Sequence, residues 1–135
     1  MPARALVEGA ASGPAIVLDE PLSFWGGVDP ATGRVIDRRH PQAGRELAGR
    51  VLVMPSGRGS SSSSSVLAEA IRAGTAPAAI VLFEPDPIVA LGAVVALELY
   101  GRTVPVVVAA EASAIRTGNA IEVTATGSDA ELRVG

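Results

Sequence analysis

A glycine- and serine-rich segment carries the residues best suited to chemistry in this sequence. Pro55-Ser-Gly-Arg-Gly59 is followed by six consecutive serines, Ser60 to Ser65, between an apolar β-branched run and a segment with helical periodicity. Glycine permits a tight strand-to-helix turn, and a helix N-terminus carries about half a positive charge, which favours anions. The segment 55–65 therefore predicts a turn that holds a carboxylate, a phosphate or an alkoxide, with a serine side chain capping the helix.

Residue types that are missing from the sequence exclude several kinds of chemistry. There is no cysteine, so this chain has no thiol nucleophile and no thiolate ligand for an iron–sulfur cluster. All 11 basic residues are arginine, which excludes a Schiff-base lysine, a P-loop lysine and a Ser–Lys dyad. A single histidine excludes a zinc site built from several histidines, and the net charge of −3 argues against a nucleic-acid partner. What remains is Ser, Asp, Glu, Arg, backbone amides, or groups supplied by a partner.

Nucleotide-binding and hydrolase motifs do not fit the glycine–serine segment. A dinucleotide-binding turn requires a third glycine where Ser62 stands, and a Walker loop requires the missing lysine. A lipase-type elbow needs glycine two residues on either side of the nucleophile, together with a histidine partner. The one histidine, His40, lies in a proline-bounded loop, where we expect a surface residue rather than a member of a triad.

The segment 21–49 is the second candidate, because it is long, polar and rich in turn residues. Loops of this length inside a domain are usually functional or disordered, and we interpret this one as functional. It holds the only tryptophan: Trp25, Gly26 and Gly27 either line a substrate site or anchor the loop through the indole. The basic cluster Arg38-Arg39-His40 favours a solvated face or a subunit contact.

The acidic residues show no spacing typical of metal ligands. We expect Asp19, Glu20 and Asp29 to serve in turns and caps rather than to hold a divalent cation. Asp86, followed by proline, predicts a helix N-cap. Glu84 is a reserve candidate, because it follows a predicted parallel strand at the sheet edge where ligands of α/β proteins bind.

Apolar runs alternate with helical periodicity through the middle of the chain, which predicts a parallel β-α-β-α-β unit. The two last apolar runs alternate with polar residues, which indicates additional, half-exposed antiparallel strands. The predicted strands are Ala15–Asp19, Arg50–Met54, Ala79–Phe83, Val104–Ala109, Ile121–Thr126 and Glu131–Val134; helices are predicted after the serine run and after Asp86, and a helical turn at Ala112–Arg116.

Length and composition predict one α/β domain over residues 1–135. The sequence is 48% hydrophobic and 19% charged, which excludes intrinsic disorder. Its start lacks the apolar run of a secretory signal, and the longest apolar run, Ile88–Leu97, has about half of the ~20 residues of a membrane span. We therefore expect a cytoplasmic protein without a membrane partner.

Five stretches of the sequence, taken in order, form a more particular pattern: Gly13–Asp29, Asp37–Pro41, Pro55–Ser60, Gly74–Ile80 and Gly101–Val106. The third overlaps Gly57-Arg-Gly-Ser-Ser61, which is similar to the Gly-x-Gly-Ser-Ser turn of the swivel domain in the aconitase superfamily. That turn alone is a weak signal. The ordered set covers nearly the whole chain and closely resembles the small subunit of the aconitase X family.

The resemblance implies a dehydratase built from two polypeptides, with this chain as a swivelling β/β/α domain that closes over the active site. In that family the large subunit holds an iron–sulfur cluster through its cysteines, and the substrate is a small hydroxy acid. Known activities are the dehydration of cis-3-hydroxy-L-proline in bacteria and of phosphomevalonate in archaea. The lysine-free, arginine- and alanine-rich composition is typical of a GC-rich bacterial genome, which favours hydroxyproline.

The resemblance also assigns roles to single residues. It implies Ser60 as the catalytic base, with Gly59 and Ser61 as its neighbours in the turn. The superfamily motif continues Arg-Glu-His, whereas this chain has Ser62-Ser63-Ser64, so the usual arginine for the substrate carboxylate is missing. Arg58 or an arginine of the large subunit would replace it.

Two functions from different classes remain open at this stage. One is the small subunit of a dehydratase, and the other is a stand-alone swivel module that binds an anion or carries a phosphoryl group. A phosphohistidine carrier needs an exposed histidine beside the glycine turn, and His40 lies on a different loop.

Overall fold

The computed structural model describes residues 1–135 as nine strands and three helical segments, with a 3-10 turn at Ala110–Ala114. The strands are β1 (Pro2–Val7), β2 (Gly9–Val17), β3 (Val28–Asp29), β4 (Arg34–Val35), β5 (Val51–Met54), β6 (Ala79–Leu82), β7 (Val106–Val108), β8 (Ala120–Thr126) and β9 (Asp129–Val134). The helical segments are α1 (Phe24–Gly27), α2 (Ser63–Ala73) and α3 (Pro87–Tyr100).

The predicted β-α-β-α-β unit is confirmed in the order β5-α2-β6-α3-β7. β5 pairs in parallel with β6, β6 pairs in parallel with β7, and β2 joins the other side of β5 in the same direction. Every residue of β5 and β6 is buried, as expected of parallel strands covered on both faces. Gly74 and Gly101 end the two long helices with φ of 78° and 65°, the left-handed conformation that favours glycine.

The strands outside this unit close the sheet on itself, which was not predicted. The hydrogen-bonded order is β1-β7-β6-β5-β2-β8-β9, and β9 pairs back with β1, so that seven strands form a closed barrel. β8 and β9 are the predicted antiparallel pair. β1 lies outside every predicted strand, and β2 begins at Gly9, six residues before the predicted start at Ala15. The sequence pattern missed the first part of β2 because glycine, serine and proline interrupt the apolar residues there.

The barrel wall separates two buried clusters. Along β5, Val51 and Val53 pack with buried residues of β8 and β9 inside the barrel, whereas Leu52 and Met54 pack with α2 and α3 outside it. This alternation follows from the two-residue repeat of a strand. The inner cluster consists largely of valine and alanine, because a closed ring of seven strands encloses little space.

The helices α2 and α3 cover one side of the barrel and pack closely against each other. A Cβ atom at Gly92 would lie 3.0 Å from the Cβ of Leu67, so this approach of the helices requires glycine. No helix of the structure combines the length and the apolar composition that crossing a membrane requires. The outward side of α3 nevertheless exposes large apolar side chains: Leu91, Val94, Leu97, Leu99 and Tyr100.

The segment 21–49 is anchored on the core beside α2 and is not a bare loop. It contains α1 and the antiparallel pair of β3 and β4. α1 is not a regular helix, because Trp25 (ψ 119°) and Gly26 (φ 74°) leave helical geometry. The anchors are five buried apolar side chains: Leu22, Phe24, Val28, Val35 and Leu47.

Candidate active site

The glycine–serine turn connects the end of β5 at Met54 to the start of α2 at Ser63. The last three serines of the run therefore lie inside the helix and not in the turn. The backbone N–H of Arg58 donates to the carbonyl of Leu22 at 3.2 Å, and Gly57 forms a parallel bridge with the same residue. These bonds tie the turn to the start of the segment 21–49.

Four consecutive backbone N–H groups of the turn, those of residues 59 to 62, donate to no other group of the chain. They precede an 11-residue helix, whose N-terminal end favours negative charge. The prediction of a serine cap is wrong, because the side-chain hydroxyl of the N-cap residue Ser62 accepts no hydrogen bond from the backbone of α2. The four N–H groups of residues 59 to 62 are therefore free to donate to an anionic ligand at this end of the helix.

Asp86 holds the turn from the side of α3. As predicted it caps that helix: its Oδ1 accepts from the N–H groups of Ile88 at 3.0 Å and Val89 at 3.2 Å. Its Oδ2 also accepts from the N–H of Gly57 at 2.9 Å, a contact that the sequence did not indicate. A Cβ on Gly57 would lie 2.6 Å from that oxygen, so a larger residue there would force the carboxylate or the turn to move.

Ser63 links the turn to α1. It is buried, and its Oγ accepts from the N–H of Trp25 at 3.1 Å and lies 2.9 Å from the Oγ of Ser23. Its hydroxyl thus joins two segments that are 38 to 40 residues apart in sequence. Sequence spacing carries no signal that separates Ser63 from its neighbours.

Ser63→Ala should lower the free energy of unfolding by about 1–3 kcal/mol, because it leaves the Trp25 N–H without its acceptor. Ser65 is exposed and supplies the matched control, for which we expect a change within about 0.5 kcal/mol. Urea unfolding of the three proteins measures the difference. Equal midpoints for Ser63→Ala and Ser65→Ala would contradict this role of Ser63.

The two predicted candidate segments meet at one open cleft of about 370 Å³. Trp25, Gly26 and Gly27 line one side, and the indole is 59% exposed. The other side is formed by the turn. Its remaining lining residues are Pro21, Ser23, Asp37, Arg39, Arg58, Gly59 and Ser60.

Two arginines, Arg39 and Arg58, line this cleft, and neither guanidinium group is firmly paired. Arg58 lies 3.5 Å from a carboxylate oxygen of Glu20, and Arg39 lies 3.6 Å from one of Asp37. The backbone N–H of Arg39 donates to Asp37 and holds the pKa of that carboxyl below its usual value. Exposed ion pairs of this kind are weak, so either arginine can exchange its partner for an anionic ligand.

His40 does not occupy the surface position that we expected. It is buried, its Nδ1 accepts from the N–H of Gln42 at 3.0 Å, and its Nε2 lies 3.1 Å from the carbonyl of Glu20. Because a backbone N–H can only donate and a carbonyl can only accept, the ring is the neutral tautomer protonated at Nε2. Both nitrogens are thus used within the loop, which leaves no ring nitrogen for a triad or a phosphoryl carrier.

The remaining predicted candidates lie away from the cleft or form hydrogen bonds within loops. Asp29 accepts from the N–H of Ala31, and Asp19 accepts from the side-chain amide of Gln42, so both have the structural roles expected of them. Glu84 is exposed. A larger depression, of about 690 Å³, lies along β2, β8 and β9 and contains none of the predicted site residues.

Comparison with known proteins assigns the chain to a family. The family model described as the aconitase X swivel domain matches residues 1–132. The chain belongs to this family. The crystal structure of Thermococcus kodakaraensis aconitase X (holo-form) has the same fold as this swivel domain, with a TM-score of 0.86, 36% identity and coverage of 98% of both chains.

Two curated relatives of this swivel domain carry different names. The cis-3-hydroxy-L-proline dehydratase of Pseudomonas aeruginosa is 59% identical over 103 residues, which are 76% of this chain and 18% of that protein. The phosphomevalonate dehydratase small subunit of Methanothermobacter thermautotrophicus is 50% identical over 93 residues, which are 69% of this chain and 71% of that protein. The swivel domain thus spans only about a fifth of the first relative.

The residues of this swivel domain do not fit the iron–sulfur cluster that its family implies. Such clusters are held by cysteine thiolates, and the sequence contains no cysteine. No three His, Asp or Glu side chains lie close enough together to hold a metal ion. What the domain offers is a hydroxyl, free backbone donors and two arginines beside one cleft.

Proposed function

We propose that this chain is the small subunit of a dehydratase of the aconitase X type, and that Ser60 removes the proton from the substrate. The substrate proposed is cis-3-hydroxy-L-proline, converted to pyrroline-2-carboxylate. The observation that carries the proposal is the convergence of the segments 25–27 and 58–60 on one cleft, beside unpaired backbone donors. The relatives named as dehydratases supply the reaction class.

The reaction removes hydrogen from the carbon next to a carboxylate and a hydroxyl group from the following carbon, which together leave as water. Negative charge develops on the carboxylate as the proton leaves, so a cation beside that group lowers the barrier. Arg58 lies next to Ser60 along the turn and is available for this role. Arg39 reaches the same cleft from the segment 21–49 and supplies a second positive charge.

The other subunit of the proposed enzyme supplies what this chain lacks. We infer that a large aconitase X subunit holds the iron–sulfur cluster through its own cysteines. That subunit faces the cleft of this chain, which is lined by the serine turn. Trp25 and its two glycines then form one wall, where the indole excludes water and the glycines let substrate approach the backbone. Co-expression of both subunits followed by size-exclusion chromatography tests the association, and separate elution would count against it.

Two substrates are consistent with the relatives, and an activity assay separates them. Higher identity, 59% against 50%, favours hydroxyproline over phosphomevalonate. The co-purified complex should be assayed with each compound, and we expect turnover of cis-3-hydroxy-L-proline. Turnover of phosphomevalonate alone would assign the second activity. Phosphate binding by the chain without association or turnover would instead support a stand-alone anion-binding module.

Arg58→Ala in the complex should lower kcat/KM by about 10–100-fold, through a higher KM as well as a lower kcat, because a charge-assisted bond to the substrate carboxylate is lost in the ground state and in the transition state. Arg58→Lys should recover part of the loss, since it keeps the charge without the planar guanidinium. Arg102 is exposed, lies outside the cleft and provides the matched control for removal of one positive charge. An unchanged KM in Arg58→Ala would exclude this residue from substrate binding.

A further inference from the structure

Asp86 is the only side chain that accepts a hydrogen bond from a backbone N–H of the turn between β5 and α2. From this contact we propose that Asp86 is a positioning residue that fixes the place of the Ser60 hydroxyl. The inference rests on the proposed function, because it assigns to Asp86 the alignment of the proposed base. Asp86 itself touches no substrate in this scheme.

The carboxylate has two tasks that a shorter or neutral side chain could not combine. Oδ1 accepts from the N–H groups of Ile88 and Val89, and Oδ2 accepts from the N–H of Gly57, three residues before Ser60. Serine and asparagine cap helices about as well as aspartate does. Neither has a second acceptor atom for the turn, so the helix requires a capping residue and the turn requires a carboxylate.

Gly57, which donates the bond to Oδ2 of Asp86, also helps to fix the position of the turn. A Cβ on Gly57 would lie 2.6 Å from Oδ2 of Asp86, so any larger residue would displace either the carboxylate or the turn. Gly57, Ser60 and Asp86 also line one small crevice between α3 and the segment 21–49. The turn is thus held on two sides, by Asp86 through Gly57 and by Leu22 through Arg58.

Loss of the bond from Gly57 should affect proton removal more than substrate binding. The turn contains two glycines, whose backbones have wide conformational freedom, so its shape depends on external bonds. A displacement of a reacting group by about 1 Å can cost about 100-fold in rate. Because the arginines of the cleft are not bonded to Asp86, KM should change little.

The test compares Asp86→Asn, Asp86→Ser and Glu98→Gln in the assembled enzyme with cis-3-hydroxy-L-proline. Both Asp86 variants retain an acceptor for the helix cap and lose the second acceptor for Gly57. We expect kcat to fall by about 10–100-fold with KM within about 3-fold, and the thermal midpoint to fall by several degrees because the Gly57 N–H loses its acceptor. Glu98 is exposed on the same helix, and its variant controls for the loss of one negative charge.

Substrate deuterated at the carbon next to the carboxylate provides a readout that a purely structural role would not move. If the serine is misplaced, proton removal becomes slower relative to the other steps, and the isotope effect on kcat should rise in both Asp86 variants. Full kcat in either folded variant would overturn the proposal, as would loss of the folded state in both. An unchanged complex that dehydrates neither substrate would instead refute the proposed function, before Asp86 is tested.

Discussion

Ser60→Ala should lower kcat of the proposed two-subunit dehydratase by about 10²–10⁴-fold, the usual contribution of a general base, while the complex remains intact. Ser60 is half-buried at the cleft, and its hydroxyl takes part in no hydrogen bond within the chain. Its removal therefore costs no contact on which the fold depends. Steady-state kinetics with cis-3-hydroxy-L-proline, together with size-exclusion chromatography of the variant, measures both parts of the expectation.

The size of the effect depends on how the hydroxyl is made basic. The ordinary pKa of a serine hydroxyl lies far above neutrality, and each unit by which it is lowered needs about 1.4 kcal/mol of stabilisation. The N-terminus of α2 offers at most about 2 kcal/mol, which is one to two units. The remainder must come from cationic groups in a closed site, of which this chain supplies Arg58 and Arg39.

Ser65→Ala is the matched control for the base, because it removes the same atom from an exposed position within the serine run. We expect it to retain nearly all activity. If Ser60→Ala kept more than a small fraction of kcat, or if a later exposed serine proved the more damaging loss, the base would be wrongly assigned.

The purified chain without its partner should show no dehydratase activity and no iron–sulfur absorbance. It has no cysteine, and its carboxylates and single histidine form no group that could hold a metal. Anaerobic reconstitution with iron and sulfide, followed by absorption spectroscopy and an assay with both substrates, measures this. We expect both signals only after the large subunit has been added.

Cluster absorbance or turnover in the isolated chain would overturn the proposal that the large subunit holds the cluster while this chain supplies the base. The large subunit alone is the matched control in this experiment. We expect it to show the cluster absorbance without turnover, since the proposed base lies on the other chain.

The parts of the fold that could be predicted are those in which local pattern and burial agree. β5 and β6 are continuous apolar runs because both faces are covered, and Asp86 and Gly101 mark the ends of α3 as such residues usually do. The closure of the barrel could not be predicted, because it depends on pairing between β1 and β9 at opposite ends of the chain. No local pattern encodes that pairing.

The candidate site shows the same division. Trp25 and Ser60 could be singled out by residue type and context, and the structure brings them to one cleft. Three other positions could not be interpreted correctly: the second bond of Asp86, the buried hydroxyl of Ser63 and the enclosed ring of His40. Each of them depends on a neighbour at least 20 residues away in sequence, which only the folded chain brings near.

The closed ring of strands also restricts how another protein can bind. Each of the seven strands has a hydrogen-bonded neighbour on both sides along at least part of its length, so no strand leaves a whole side free for the addition of a foreign strand. We therefore expect another protein to bind this chain through side chains on helices and loops, such as the exposed leucines of α3 or the indole beside the cleft. The same property protects against fibril-like self-stacking, and substitutions that open the seam between β1 and β9 would remove that protection.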